Sequence, residues 1–329
     1  MLEGYCMNRY RNTAIALAAS LFAAGAVQAD APMVKTQAPG YYSTMLGDFE
    51  ITALSDGTVQ LPVDKLLLNT NEAHVRDVLK AHFLSAPLET SVNGYLINTG
   101  DKLVLIDTGA GSLFGPTLGK LESNLEAAGY TPDEVDEIYI THMHPDHVGG
   151  LISDGKVVFP NATVRAAQAD ADYWLSKDEM ESAPEGKLGF FKGAIASLNP
   201  YVESGHFKAF SGKTDLVDGI EAIPDHGHTP GHSIYHVESD GQSLMLMGDL
   251  IHVGSVQFSE PSIAIQFDSN PDQAVSARES AFDNAVDTGT LIGSAHLSFP
   301  GMGHLKAAGD GYDFIPVNYD ATVVPPKSE

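Results

Sequence analysis

The sequence predicts an α/β protein made of two similar halves, with two mixed sheets packed face to face and helices outside. Three observations carry this reading. Short apolar, strand-like runs recur in both halves, and segments of helical period fall between them. In each half a short strand also ends at residues of metal-ligand type: His142-Met143-His144-Pro145-Asp146-His147 in the first, Asp249 and His296 in the second. Helices alternating with strands bury a sheet on both faces, which favours a layered α/β architecture.

The elements follow in order. Arg9 and Arg11 precede an apolar, Ala- and Leu-rich run over residues 13–27, and Val27-Gln28-Ala29 offers small residues to a signal peptidase. Residues 1–29 therefore read as a signal peptide cleaved after Ala29, with Met7 an alternative start. The run is short of the ~20 residues that a membrane-spanning helix needs. A periplasmic or secreted location follows as an expectation. Residues 30–45 read as an extended arm, 46–306 as one domain and 307–329 as an irregular tail, disordered over 325–329.

Within the domain, residues 49–54 predict a first strand ended by Ser55-Asp56-Gly57. Residues 71–83 show helical spacing at Val75, Val78 and Leu79. Residues 94–98 and 102–106 read as a hairpin around Gly100-Asp101. A helix is expected over 116–128, stopped by Gly129, and Thr131-Pro132-Asp133-Glu134 forms a capping box that opens another turn. Residues 137–141 read as a strand leading into the His-rich motif. Residues 169–198 look helical, carry Tyr173, Trp174, Phe190 and Phe191, and read as an insertion or lid. In the second half, 233–237, 243–247 and 290–294 predict strands, and 271–286 a helix.

Composition narrows the chemistry. The chain has 329 residues, 43% of them hydrophobic, enough for a sizeable core. Its 43 acidic and 18 basic residues give a net charge of -25, which argues against nucleic acid or anionic membrane as partners. The single cysteine, Cys6, lies in the predicted signal peptide. Any metal site must then use His, Asp and Glu, and Cys-ligated zinc or iron–sulfur centres are excluded.

Four ligand-type side chains between His142 and His147 suit divalent ions such as zinc. On an extended segment, His142 and His144 point to one side and can hold one ion. Asp146 and His147, past the turn at Pro145, can face a second. Further ligands must come from afar: Thr229-Pro230-Gly231-His232, Gly248-Asp249 and Ser294-Ala295-His296 each put one near a turn or strand end. His226 and His228 flank the first of these, and the Pro-Gly-His position favours His232 over both. His296 is favoured over His304 because it closely follows a strand.

With those residues in place, the chain resembles the metallo-β-lactamase superfamily, whose members carry HxHxDH, a later His, an Asp and a final His. The resemblance runs from Leu105-Ile106-Asp107-Thr108-Gly109 to His296. It implies a four-layer αββα sandwich and two metal ions per chain, zinc first, with manganese, cobalt or iron as alternatives. It places His142, His144 and His232 on one ion and Asp146, His147 and His296 on the other, with Asp249 bridging. Asp107 would orient a ligand by hydrogen bonding. A homodimer is implied as well.

A finer resemblance is to the methyl parathion hydrolase group. It rests on Gly109-Ala110-Gly111-Ser112-Leu113-Phe114-Gly115-Pro116-Thr117-Leu118-Gly119 and on His296-Leu297-Ser298-Phe299-Pro300-Gly301. That group implies hydrolysis of organophosphate triesters and aryl esters by a metal-bridging hydroxide, with Phe114, Trp174 and Phe191 forming an aromatic substrate pocket. Ile265 and Phe267 would shape the same wall. The alternative is a lactonase acting on acyl-homoserine or other lactones. Such lactonases typically have Tyr three residues after the bridging Asp. Here that position is His252, read as a catalytic or pocket residue able to donate one hydrogen bond.

Overall fold

The computed structural model describes residues 31–323. The expected signal peptide and residues 325–329 lie outside them. Residues 31–37 carry no regular secondary structure, and a compact unit begins at Ala38.

The chain opens with β1 (Tyr41–Leu46) and β2 (Phe49–Leu61), followed by helices α1 (Val63–Leu66) and α2 (Glu72–Ala81). Next come β3 (Leu88–Asn98), β4 (Leu103–Ile106), α3 (Leu121–Ala127), β5 (Glu137–Tyr139) and the short α4 (Pro145–Val148). A small ribbon, β6 (Ile152–Ser153) and β7 (Lys156–Val157), precedes β8 (Thr163–Ala167). Helices α5 (Gln168–Trp174), α6 (Lys177–Ser182) and α7 (Leu188–Ser204) then lead to β9 (Phe207–Phe210). The second half has β10 (Thr214–Val217), β11 (Ile220–Pro224), β12 (Ser233–Ser239) and β13 (Gln242–Leu246). It continues with α8 (Gly254–Gln257), α9 (Pro271–Thr288), β14 (Leu291–Gly293), β15 (Met302–Ala308) and β16 (Gly311–Pro316).

Two seven-stranded sheets result, ordered β1-β2-β3-β4-β5-β8-β9 and β10 through β16. Both are mixed. β4, β5, β8 and β9 run parallel, and so do β13 and β14, while the hairpin neighbours are antiparallel. The sequence explains the stacking. Leu103-Val104-Leu105-Ile106 is apolar at every position because both faces of β4 are covered. Val104 and Ile106 join Ile51, Tyr95 and Ile97 against Tyr235, Val237 and Leu246 of the other sheet. Leu103 and Leu105 face outward onto Leu121, Leu125 and Leu198 of the helices. On the far side, Phe282 and Ala285 of α9 cover Met245 and Ile292. The layers are helix, sheet, sheet, helix, an α/β sandwich with mixed sheets as expected.

Four local expectations are corrected. The first strand does not end at Ser55-Asp56-Gly57. A bulge between Ser55 and Gly57 lets β2 run on to Leu61. Gly57 sits at φ 124, and a Cβ there would lie 2.1 Å from the Thr117 carbonyl oxygen, so glycine is required. The bulge turns Asp56 inward, where its carboxylate accepts the backbone N–H groups of Ala110, Gly119 and Leu121. That fixes the segment ahead of Leu121 as a loop, so α3 starts there and not at Pro116. The expected arm already contains β1, paired with β2 from Tyr41 onward. The expected irregular tail, from residue 307, instead holds the end of β15 and all of β16, which pair as a hairpin. Its outer faces are solvated and its apolar alternation is weak, so it leaves little periodic signal. No helix among the described residues is long and apolar enough to cross a membrane.

Candidate metal centre

Strand ends deliver the site. β5 stops at Tyr139, and His142 to His147 follow over the turn into α4, where Pro145 takes the first helical position. Asp249 follows β13, His296 follows β14, and His228 lies in the loop between β11 and β12. Two groups form. His142, His144, His228 and Asp249 bring ligand atoms within 4.8 Å of one another, as do Asp146, His147, Asp249 and His296. Asp249 belongs to both. Its Oδ1 lies 3.2 Å from His147 Nε2, and its Oδ2 lies 3.1 Å from His296 Nε2 and 3.4 Å from His228 Nε2.

The outer nitrogens are spoken for, which aims the inner ones. His147 Nδ1 donates to Asp107 Oδ2 at 2.8 Å, His228 Nδ1 to Asp268 Oδ1 at 2.9 Å, and His296 Nδ1 to the Ser91 carbonyl at 2.9 Å. Each bond fixes the tautomer whose Nε2 lone pair faces the centre. Asp107 adopts φ 58, a left-handed conformation uncommon outside glycine, and is held by the Thr141 N–H and hydroxyl.

The donor set fits two divalent cations. Nε2 of His142, Nε2 of His147 and Oδ1 of Asp249 are buried with no hydrogen-bond partner. Buried polar atoms are rarely left so, and imidazole nitrogen with carboxylate oxygen is a zinc-type set. The electrostatics agree. Burial lowers His142 and His144 well below the ordinary histidine value. Burial also works against charge on His228, but Asp249 and Asp268 outweigh it and push its pKa up to about 9. The buried carboxylates call for positive charge that a proton here supplies and a cation would replace.

A model of the metallo-beta-lactamase superfamily matches residues 88–296, which include every residue of the two groups. This chain belongs to the metallo-beta-lactamase superfamily. Among solved structures, the hydrolase AbOPH of the beta lactamase superfamily is 38% identical, with a TM-score of 0.83 over 87% of this chain and 100% of that one. AidC, a dizinc quorum-quenching lactonase in complex with a product, is 27% identical with a TM-score of 0.79, covering 85% and 98%. An N-acyl homoserine lactonase of Bacillus cereus is 25% identical over 174 residues, 46% of this chain. The match spans 60% of that relative's length.

The superfamily pattern must be laid on this chain differently at one ligand. The place expected for His232 belongs to His228. His232 has no nitrogen to spare: Nδ1 donates to the Asp225 carbonyl at 3.1 Å, and Nε2 accepts the Asp249 N–H at 3.2 Å. Burial, the largest influence, holds its pKa down at about 3, so it stays neutral and props the bridging residue. His144 Nδ1 and His228 Nε2 instead face each other at 3.1 Å.

An apolar cavity of about 170 Å³ opens over Asp249, Asp146 and His144, walled by Leu61, Phe114, Phe190 and Phe267. Phe114 lies at its edge, 43% exposed. Three other pocket expectations are corrected. Phe191 is fully buried among Leu198, Ala194 and Trp174, because α7 turns it about 100° from Phe190. Trp174 is buried behind the cavity, its ring 5.1 Å from that of His144. Ile265 packs with Val63, Leu67 and Ile263 away from the cavity, and its N–H donates to Asp268. His252 does line the cavity, with Nε2 3.1 Å from Asp249 Oδ2.

Asp170 escaped sequence reasoning altogether. Fully buried, its carboxylate accepts the Met143 N–H at 2.9 Å and the Gly231 N–H at 2.6 Å. It ties the His142–His147 loop to the loop carrying His228. Asp268, the partner of His228, was missed as well. Neither lies in a local motif.

Proposed function

We propose that this chain is a dinuclear metal-dependent hydrolase that cleaves organophosphate triesters and aryl esters. The observation that carries this reading is the aromatic cavity placed directly over the two ligand groups. His142, His144 and His228 would hold one cation and Asp146, His147 and His296 the other, with Asp249 shared. When bound, such a pair supplies a hydroxide nucleophile near neutral pH and stabilises charge developing on the substrate oxygen. The protein's own part is preorganisation. Asp107, Asp268 and the Ser91 carbonyl lock three ligand rings. Phe190 and Phe267 exclude water and give an aryl group a stacking surface. Leaving aryloxides need little acid assistance, which suits a cavity whose walls are mostly apolar.

A second reading is lactone opening, favoured by the lactonases among the similar proteins. His252 would then orient the lactone carbonyl, since it lines the cavity beside the shared carboxylate, with Nε2 3.1 Å from Asp249 Oδ2. A kinetic panel on zinc-reconstituted protein separates the two. It compares an aryl phosphotriester, an aryl acetate and an acyl-homoserine lactone by kcat/KM. The first reading expects the aryl substrates to lead by tenfold or more, and a lactone leading by that margin overturns it.

A further inference from the structure

A charge sits on the apolar face of α9. The helix buries Ala274, Arg278, Ala281, Phe282 and Ala285 on one side, the spacing of a core-facing stripe. All but Arg278 are apolar, and Arg278 is fully buried among them. Taking a cation out of water is costly unless hydrogen bonds replace the lost hydration. Burial lowers its pKa, opposed by the negative charge of Asp268, Glu279 and Asp225.

The hydrogen bonds of Arg278 go to main-chain carbonyls of a single segment. Nε donates to the Leu250 carbonyl, and Nη1 donates to those of Pro261 at 2.7 Å and Ile263 at 2.9 Å. Gln257, also fully buried, completes the hold from inside the same segment. Its Oε1 accepts the N–H groups of His252 at 2.8 Å and Val253 at 2.9 Å. Its Nε2 donates at 2.9 Å to the Ile263 carbonyl, the oxygen that Arg278 also uses. The backbone around His252 is thus gripped at the Leu250 carbonyl before it and at its own N–H. Asp249 has separate supports. The Gly248 carbonyl accepts the Ser294 hydroxyl at 3.0 Å and the Ala295 N–H at 3.3 Å, and the Asp249 N–H goes to His232.

We propose that Arg278 is a positioning residue for the site: together with Gln257 it fixes the Leu250–Ile263 segment so that the His252 ring stands in the cavity beside the shared carboxylate. The assignment rests on the hydrolase reading above for what His252 does to substrate, and on geometry alone for where His252 stands. A guanidinium suits the task because its planar, rigid fork reaches three carbonyls at once. A lysine ammonium is a point charge on a flexible stem and cannot reproduce that grip.

The test uses zinc-loaded protein and an aryl acetate. Arg278→Lys keeps the charge and removes the fork, and Gln257→Met repeats the test from inside the segment should the first variant fail to fold. Each is expected to lower kcat about tenfold, the scale on which supporting residues act, with KM moved by less than about threefold. Bound zinc is expected to stay at the level of the unmodified protein, since Asp249 is held independently. In a His252→Ala background the same substitutions are expected to cost under about twofold, because residues acting through one another are not additive. Leu125→Ala, in the core between the first sheet and its helices, controls for stability: it lowers the Tm and leaves kcat in place. A readout without turnover is ring ¹⁵N NMR of the histidines. The His252 signals, identified by their loss in His252→Ala, are expected to shift in Arg278→Lys and to stay put in Leu125→Ala. Unshifted His252 signals, a kcat unchanged in both variants, or an equal loss with and without His252 overturns the assignment and leaves the hydrolase reading standing. Shifted His252 signals with no ester turned over by any of the proteins supports the positioning role and overturns the hydrolase reading.

Discussion

Two histidines four residues apart do opposite jobs. His228 Nε2 faces the ligand group, while both nitrogens of His232 are engaged with backbone. His228→Ala is therefore expected to lower bound zinc from two equivalents toward one and to cut activity by 100-fold or more. His232→Ala should retain both equivalents while losing activity more modestly, by about tenfold to 100-fold, since supporting residues typically act on that scale. Metal analysis of the two purified variants decides it, and equal zinc loss in both would return His232 to the ligand set. The choice was invisible in Gly227-His228-Thr229-Pro230-Gly231-His232, because both side chains flank one turn and only the Asp225 carbonyl and the Asp249 N–H tell them apart. Asp170 and Asp268 were unreadable for a related reason. A lone carboxylate has no pattern, and the Asp170 partners lie 27 and 61 residues away.

Elements set which neighbours in sequence become neighbours in function. On α7, Phe190 lines the cavity and Phe191 fills the core. Phe190→Ala is expected to raise KM for an aryl substrate about tenfold with little loss of stability. Phe191→Ala should instead cost ~3–5 kcal/mol in denaturant unfolding. The reverse pattern would mean that the helix is rotated from this description. β4 and β5 are held in register by Asp136, which accepts from the Leu103 N–H at 2.9 Å and from Lys102 Nζ at 2.8 Å. Burial works to raise its pKa, but these two partners outweigh it and hold the carboxyl below its ordinary value. Its stabilisation is then present above the unfolded-state value and lost as pH falls through the lower folded-state value. With 37% of the side chain exposed, Asp136→Asn should cost under ~1 kcal/mol at neutral pH. The gap between variant and parent should close in unfolding measurements at the most acidic pH reached. The strands themselves were legible where both faces are buried, as in Leu103 to Ile106. The bulge at Asp56 was not, because its cause is contact with Ala110, Gly119 and Leu121 far along the chain.

At the scale of the molecule, the two ligand groups draw on both halves of the chain. His142 to His147 come from the first sheet, and His228, Asp249 and His296 from the second. Bound cations would pin the sheets together at one edge, and binding free energy of that kind adds directly to folding free energy. Chelation is expected to abolish activity, with recovery on adding zinc, manganese or cobalt. The same treatment should lower the Tm by roughly 5–15 °C, and an unchanged Tm with full activity in metal-stripped protein would overturn the assignment. This architecture also sets an order in time. Synthesis runs from the N-terminus, so the histidines after β5 emerge long before the carboxylate that joins the two groups. A nascent chain that has reached the end of β13 holds His142, His144, Asp146, His147 and His228, yet lacks Asp249 and His296. It can offer a cation a handful of imidazoles, but no bridge. The centre is thus a checkpoint on completion: it closes only once β14 has been laid beside β13, near the end of the described chain.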